Sequence, residues 1–191
     1  MTIKNIVSMT GLKGSGKDTF AKKFTENGYE NVKLSGALKV MLRSFFEYCG
    51  ESREDIDRWL EGSTQDREEP IACLGGKSAR HAMQTLGTEW GRECIDGDIW
   101  IRATEARIGA LDKAIITDMR FPNEAELCAE IGAHRIRVER PSRRSNVDLH
   151  ESESHIQGLE VDDVVINDGT IEDLENKAER LMEELENGNK T

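Results

Sequence analysis

Several features that would fix the class of this chain at once are missing from it. It holds four cysteines, Cys49, Cys73, Cys94 and Cys128, and no two of them form a C-x-x-C pair. Scattered thiols in mostly apolar surroundings point to free cysteines in a reducing compartment, and away from a disulfide scaffold or structural zinc. His150 and His155 are five residues apart rather than the four that would align them on one helix face, so zinc is set aside. No apolar run approaches the ~20 residues that a membrane helix needs, and the first residues pass straight into a strand-like run without room for a signal peptide. Positive charge is not in excess either: 37 acidic side chains face 26 basic ones, for a formal charge of -11. Such a balance opposes general binding to nucleic acid or to anionic membrane, so an anionic ligand must be met by a local basic patch. There is no internal repeat. What remains is a chain of 191 residues, enough for one sizeable core and expected to be soluble and cytoplasmic.

The stretch that organises the rest is Gly11-Leu12-Lys13-Gly14-Ser15-Gly16-Lys17-Asp18-Thr19. It joins a buried strand over residues 3–7 to a helix over 17–27, with Phe20, Ala21 and Phe24 on one side and Gly28 as its stop. Glycines at 11, 14 and 16 let the backbone turn its N–H groups inward, and the helix that follows points its positive end at the same spot. The spacing Gly11-x4-Gly16-Lys17 is that of a P-loop, in which Lys17 reaches the β- and γ-phosphates of a nucleotide. The hydroxyl residue expected directly after the lysine is replaced by Asp18 and comes one place later, at Thr19. Adenylate-kinase-like enzymes share that inserted residue, which favours a small-molecule kinase over a signalling GTPase.

Strand-like and helix-like pieces then alternate, which predicts a three-layer α/β/α fold with a central parallel sheet. A short second strand is expected at Val32-Lys33-Leu34 and a helix from Ala37 to Phe46. Ser52 and Asp55 open a helix carrying Ile56, Trp59 and Leu60, ended by Gly62. Residues 63–76 are polar, include Pro70 and read as a loop or mobile excursion. From Lys77 to Cys94 two stripes recur. Ala79, Ala82, Met83, Leu86 and Trp90 should pack inward, while Arg80, Gln84, Thr88 and Arg92 line a second face, with Gly87 and Gly91 where something approaches closely. A further helix spans 98–108. Ala114 to Asp118 has the form of a Walker B strand, whose terminal carboxylate can hold magnesium directly or through water. After a helix over 124–131, His134 to Glu139 alternates like a half-solvated strand, with Arg135 and Arg137 facing solvent. Arg140, Arg143 and Arg144 follow near the carboxyl edge of the sheet, where open α/β sheets bind ligands, on a lid-like loop over about 140–157. A last strand over 161–166, a turn at Asn167-Asp168-Gly169 and a helix capped by Thr170 close the chain, with Ile171, Leu174, Ala178, Leu181, Met182 and Leu185 inward.

These residues together resemble the deoxynucleoside monophosphate kinases of bacteriophages, a P-loop family with an adenylate-kinase-like core. The resemblance is carried by Gly11 to Thr19, by Asp66-Arg67-Glu68, by the runs Met83 to Arg92 and Asp118 to Glu126, and by Asp148-x-His150-x-Ser152-Glu153. It implies a single kinase domain that transfers the γ-phosphate of ATP to a deoxynucleoside monophosphate with Mg2+, in the cytoplasm of the host cell, and it is compatible with a homodimer. Gly11, Lys13, Gly14, Ser15, Gly16, Lys17, Asp18 and Thr19 would hold the ATP phosphates, and Asp18, Thr19 and Asp118 the magnesium. Lys17, Arg120, Arg140, Arg143 and Arg144 would meet the transferring group. Lys39, Arg43, Arg67, Glu68, Arg80, Gln84, Thr88, Trp90 and Arg92 would bind the acceptor, from a helical excursion over about 36–110. Where the family often has lysine before the glutamate, this chain has Arg67 before Glu68. Two rivals stay open. A transferase resembling dephospho-coenzyme A kinase would phosphorylate a hydroxyl, with Asp18 as its base, and a nucleotide-binding switch would lack turnover. No Asn-Lys-x-Asp base-reading motif supports the switch.

Overall fold

The computed structural model describes residues 5–141 and 156–188. In chain order the elements are β1 (Asn5–Thr10), α1 (Lys17–Glu26), β2 (Glu30–Val32), α2 (Gly36–Tyr48), α3 (Arg53–Glu61), α4 (Thr64–Arg67) and α5 (Ala79–Thr85), which runs on as a π-helical segment (Leu86–Ile95). Then come α6 (Ile99–Gly109), β3 (Lys113–Ile116), α7 (Pro122–Glu130), β4 (His134–Glu139), β5 (Asp163–Ile166) and α8 (Ile171–Gly188). They divide into two compact units, residues 1–34 with 105–191, and residues 35–104. No described helix is long and apolar enough to cross a membrane.

The first unit is an α/β layer structure around five parallel strands in the order β2-β3-β1-β4-β5. β1 lies at the centre, with Ile6 to Thr10 buried on both faces; Val7 pairs in register with Ile115 of β3 on one side, and Met9 with Ile136 of β4 on the other. Val7 and Met9 point to the face covered by α1 and α8, where Phe20, Phe24, Leu174, Ala178 and Met182 close the core. Each large side chain buried there contributes roughly 1.5–3 kcal/mol relative to exposure. On the opposite face Ser8 meets Cys128 of α7, whose thiol is pushed up to about 11, chiefly by burial.

Three expectations are corrected in this unit. The second strand covers residues 30–32 rather than 32–34, because the Leu34 N–H leaves the ladder and donates to Asp118 Oδ1 at 2.8 Å. Arg135 and Arg137 do not face solvent. Their side chains are 18% exposed, and each pairs with a neighbouring carboxylate, Asp162 at 2.9 Å and Glu139 at 3.0 Å. Ile171 is 69% exposed, because a first-turn side chain points back past the start of its helix rather than onto the sheet.

The second unit is helical. Leu42 and Phe46 of α2, Ile56, Trp59 and Leu60 of α3, Ile71 and Ala79 form its core, with Ala82, Met83 and Leu86 packed against it. Ser52 caps α3 by accepting from the Asp55 N–H, and Gly62 follows its end, as expected. Residues 63–76 are more ordered than a loop. Ser63 and Asp66 form a capping box for the four-residue α4, a 3₁₀ turn spans Ala72–Leu74, and Ile71 bridges to Lys77. One turn of helix is too short to leave a periodic apolar signature, so the polar composition misleads.

Candidate active site

The loop after β1 is built as a cradle. Gly11, Gly14 and Gly16 take φ values of 145°, 78° and 103°, all in the region that side chains avoid. Space is as restrictive as conformation. A Cβ at Gly11 would collide with the carbonyl oxygen of Val138 on β4, and one at Gly16 would stand 2.5 Å from Asn167 Nδ2. Gly16 caps α1 without any side-chain acceptor, leaving the helix's amino end open. The N–H groups of Gly14 and Gly16 donate to nothing among the described residues. Thr10 Oγ1 and Ser15 Oγ are buried there without a hydrogen-bond partner among those residues. A buried hydroxyl or amide left unpaired costs about 1–3 kcal/mol. An anion in the cradle would give these donors acceptors, and the helix's positive end favours it. Lys17 Nζ is hooked onto the loop, donating to the carbonyls of Gly11 at 2.5 Å and Leu12 at 2.9 Å, and so sits beside the same cradle. Lys13 and Asp18 are exposed, and Thr19 is half-buried on the first turn of α1.

Asp118 stands two residues beyond β3, the neighbour of β1, so the topology puts its carboxylate at the same sheet edge as the loop. It is half-buried, and Oδ1 accepts from Leu34 N–H. Arg120 is exposed. The short link from Asp118 to α7 is fixed by the buried Glu124, whose Oε2 accepts from the N–H groups of Arg120 at 2.8 Å and Phe121 at 3.1 Å. Arg140 follows β4 and lines a small cleft with Gly11, Leu12, Ser15, Glu139 and Ile156, which brings one of the three loop arginines beside the cradle. Arg143, Arg144 and the Asp148-to-Glu153 segment lie outside the described residues. No group of three or more His, Cys, Asp or Glu among the described residues is placed to hold a metal by itself. Magnesium takes one or two carboxylates and completes its shell with water and substrate phosphates, so it needs no such cluster, and Asp118, Thr19 and Asp18 are the oxygen-bearing side chains that would be available to it.

In the helical unit five of the nine expected acceptor residues fall into two groups. Glu68 gathers two partners, Ser78 Oγ at 3.4 Å and Arg80 Nε at 3.4 Å, and Arg67 lies next to it at the end of α4. Lys39 and Arg43 on α2 are held by carboxylates of α3, Glu61 at 2.5 Å and Asp57 at 2.6 Å. Arg43 borders a cavity of about 400 Å3 whose other charged walls are Glu47, Glu51, Arg53 and Asp57, so three carboxylates face two arginines there. On the second stripe Gln84 and Thr88 are exposed and Arg92 is half-buried. The inward stripe breaks at Trp90, which is 40% exposed. Beyond Leu86 the chain bonds i to i+5, as in Asp96 N–H to Gly91 O at 2.9 Å, and the wider turn rotates later residues away from the α-helical stripe. The close approach expected at Gly87 and Gly91 is internal. Trp100 donates its indole N–H to Gly87 O at 2.8 Å, and its ring lies against Gly91.

A family model described as deoxynucleotide monophosphate kinase matches residues 75–178, more than half of the chain. The chain belongs to that family. A protein of Acanthamoeba polyphaga mimivirus described as a deoxynucleotide monophosphate kinase is 26% identical over 185 residues, covering 88% of this chain and 91% of its own. The deoxynucleotide monophosphate kinase of Escherichia phage RB69 is 33% identical over 110 residues, 55% of this chain, and the match spans 45% of that longer relative. Among solved structures, TT1252 from Thermus thermophilus superposes with a TM-score of 0.52 at 19% identity, over 95% of this chain and 98% of its own, a likeness of fold.

Sequence reasoning passed over two residues of this family member, one at the link that follows Asp118 and one at the cradle. Glu124 reads in the sequence as an ordinary acidic first-turn residue, although its burial sets it apart. Asn167 reads as turn chemistry after a strand, yet its side chain reaches the loop and donates to Ser15 O at 2.8 Å. Only its place at the carboxyl end of a strand could have marked it.

Proposed function

We propose that this member of the deoxynucleotide monophosphate kinase family transfers the γ-phosphate of ATP to a deoxynucleoside monophosphate, releasing ADP and the deoxynucleoside diphosphate. The observation that carries the reading is the cradle itself: three positive-φ glycines, open N–H groups, buried hydroxyls without partners and Lys17 converge at the amino end of α1.

The amides of the loop bind the donor phosphates. Lys17 exchanges the carbonyls of Gly11 and Leu12 for phosphate oxygens, a stronger partner for an ammonium because the hydrogen bond gains a full opposite charge. The acceptor phosphate is already ionised, so the chain's task is positioning and charge neutralisation rather than proton removal. Arg120 and Arg140, with Arg143 and Arg144 of the lid-like loop, supply donors to charge that develops on the moving group. In the helical excursion over about 36–110, Arg43, Arg80 and Arg92 take the acceptor phosphate, while Gln84 and Thr88 read its base or sugar. Lys39 and Arg67 add local positive charge, Trp90 offers a stacking face, and Glu68 orients Arg80. Thr19 or Asp18 together with Asp118 would hold Mg2+, which would supply positive charge to the donor phosphates. The same reading places the chain in the host cytoplasm, working on small molecules, with a homodimer as its assembly.

Membership of the family favours this acceptor over dephospho-coenzyme A, and no described feature favours a switch without turnover. The test is a coupled assay of ADP release over the deoxynucleoside and ribonucleoside monophosphates and dephospho-coenzyme A. Turnover with a deoxynucleoside monophosphate supports the reading. Turnover with dephospho-coenzyme A alone, or with none of them, overturns it.

A further inference from the structure

Asn167 is the residue that joins the end of the sheet to the phosphate cradle. It follows β5 and is only 7% exposed. Its N–H donates to Glu139 O at 2.7 Å, extending the β4–β5 ladder by one bond, and its side-chain Nδ2 donates to Ser15 O at 2.8 Å across 152 residues of sequence. The turn that carries it is pinned from its far side. Lys177 Nζ donates to Ile166 O at 2.7 Å and pairs with Asp168 at 3.2 Å, and Thr170 and Asp173 exchange capping bonds at the start of α8. Gly16 completes the contact, since a Cβ there would stand 2.5 Å from Asn167 Nδ2 and 2.8 Å from Leu174 Cδ2. The side chain is therefore placed by the sheet and by α8, not by the loop it touches.

What it holds is one peptide plane. In a planar trans peptide the C=O of one residue and the N–H of the next point in opposite directions, and the chain contains no cis bond among its described residues. With the Ser15 carbonyl drawn to Asn167, the Gly16 N–H must point the other way, and it is one of the amides that donate to nothing among the described residues. The loop has little stiffness of its own to keep that orientation, because glycines at 14 and 16 accept both signs of φ. A flipped plane would present a carbonyl oxygen to phosphate in place of a donor.

We infer that Asn167 is a positioning residue of the cradle, fixing the Ser15–Gly16 peptide so that its N–H faces the donor phosphates. This rests on the reading of the loop as the ATP site. Asn167 acts through the backbone and touches no reacting atom. Its amide is needed as a donor: an isosteric leucine cannot make the bond, and an ionised aspartate would set a carboxylate against the carbonyl oxygen. A protonated aspartate regains a donor, and burial beside a carbonyl raises its pKa above the usual value near 4.

The test is calorimetric titration of ATP and of inorganic tripolyphosphate, which probes the cradle without base or sugar, into the full chain and its Lys17→Ala, Asn167→Leu and Asn167→Asp variants. Both Asn167 variants are expected to weaken ATP and tripolyphosphate in parallel, by roughly tenfold or more. Relative to wild type, the affinity of Asn167→Asp should recover as the pH falls from about 8 to about 5, the range in which a raised carboxyl pKa is crossed. A role confined to packing would lower the melting temperature without tying ligand affinity to the protonation of this one side chain. Affinity equal to wild type in Asn167→Asp at every pH, or a loss that acid does not reverse, overturns the inference. Should Asn167→Leu fail to fold, the pH series of Asn167→Asp decides alone. A wild-type chain that binds neither ligand would instead refute the loop as an ATP site, whereas a defect in Lys17→Ala with none in the Asn167 variants refutes only the role of Asn167.

Discussion

Gly91→Ala separates a packing role from a ligand-binding one in the π-helical segment. A Cβ at Gly91 would lie 2.5 Å from Trp100 Cζ2 and 2.7 Å from Cε2 and Nε1, closer than side-chain contacts tolerate. Trp100 has nowhere easy to go: it is 6% exposed, and its indole N–H is held by Gly87 O. Overpacking of this kind costs about 1–3 kcal/mol, and loss of the indole hydrogen bond adds about 1 kcal/mol. The φ of Gly91 is not positive, so there is no backbone strain to add, and the better helix propensity of alanine returns at most about 1 kcal/mol. The net expectation is a destabilisation of about 1–3 kcal/mol, or roughly 2–12 °C in melting temperature for a chain of this size. Gly87→Ala is the control, because its Cβ would meet only the flexible end of Leu38, at 3.3 Å, and the propensity gain offsets that contact. Intrinsic fluorescence is the right probe, since all three tryptophans, Trp59, Trp90 and Trp100, fall within residues 35–104. The reasoning fails if Gly91→Ala melts with the wild type, or if Gly87→Ala costs as much. A glycine kept for a ligand would behave differently, leaving the melting temperature in place and raising the acceptor KM.

Lys17→Ala should lower kcat/KM by about 100-fold or more with circular dichroism unchanged, since the ammonium serves the cradle and not the core; near-normal turnover would exclude the P-loop assignment. Asp118→Asn should raise the Mg2+ concentration for half-maximal rate and lower the maximum, with melting nearly unchanged because the amide oxygen still accepts from Leu34 N–H. A fall in melting temperature with an unshifted Mg2+ curve would make Asp118 a structural acceptor only. Asp162 is held below the usual carboxylate range first by its side-chain bonds with Arg135. A depressed folded pKa contributes stability above the unfolded value near 3.9 and loses it as the pH falls through the folded one. Asp162→Asn should therefore cost up to about 1 kcal/mol at neutral pH, limited by the 38% exposure of the carboxylate, and the difference should fade as the pH falls through the lowered folded pKa. A difference between the melting curves that acidification leaves unchanged would count against the pair.

The sheet was legible because its signals are local and redundant. β4 spans the residues its alternation predicted, 134–139, since Ile136 and Val138 are fully buried and the intervening side chains are not. α3 was readable from the cap at Ser52 to the stop at Gly62, because a cap, an acidic first turn and an apolar face all agree. Two of the failures share one cause: a partner distant in sequence overrides a local preference. Leu34 leaves the second strand for Asp118, 84 residues away. The α-helical stripe ends near Leu86, where Trp100 bonds to Gly87 and lies against Gly91. No propensity carries that information.

The site divides along the same line. Motif spacing singles out residues suited to meet a ligand, because the chemistry of phosphate demands particular groups in a particular order: glycines for the turn, a lysine for charge, a carboxylate at the neighbouring strand's end. It does not find the residues that hold those groups in place, because any element able to bring a donor or an acceptor to the right backbone atom will serve. Glu124 does this for the Asp118–Phe121 link by accepting two N–H groups, and Asn167 does it for the cradle by donating to one carbonyl. Both are polar and both are buried, a combination that costs free energy unless the bonds are made. Burial of a satisfied polar side chain beside a predicted motif is therefore the structural mark of the supporting shell, and it becomes visible only after the fold has brought residue 167 to residue 15.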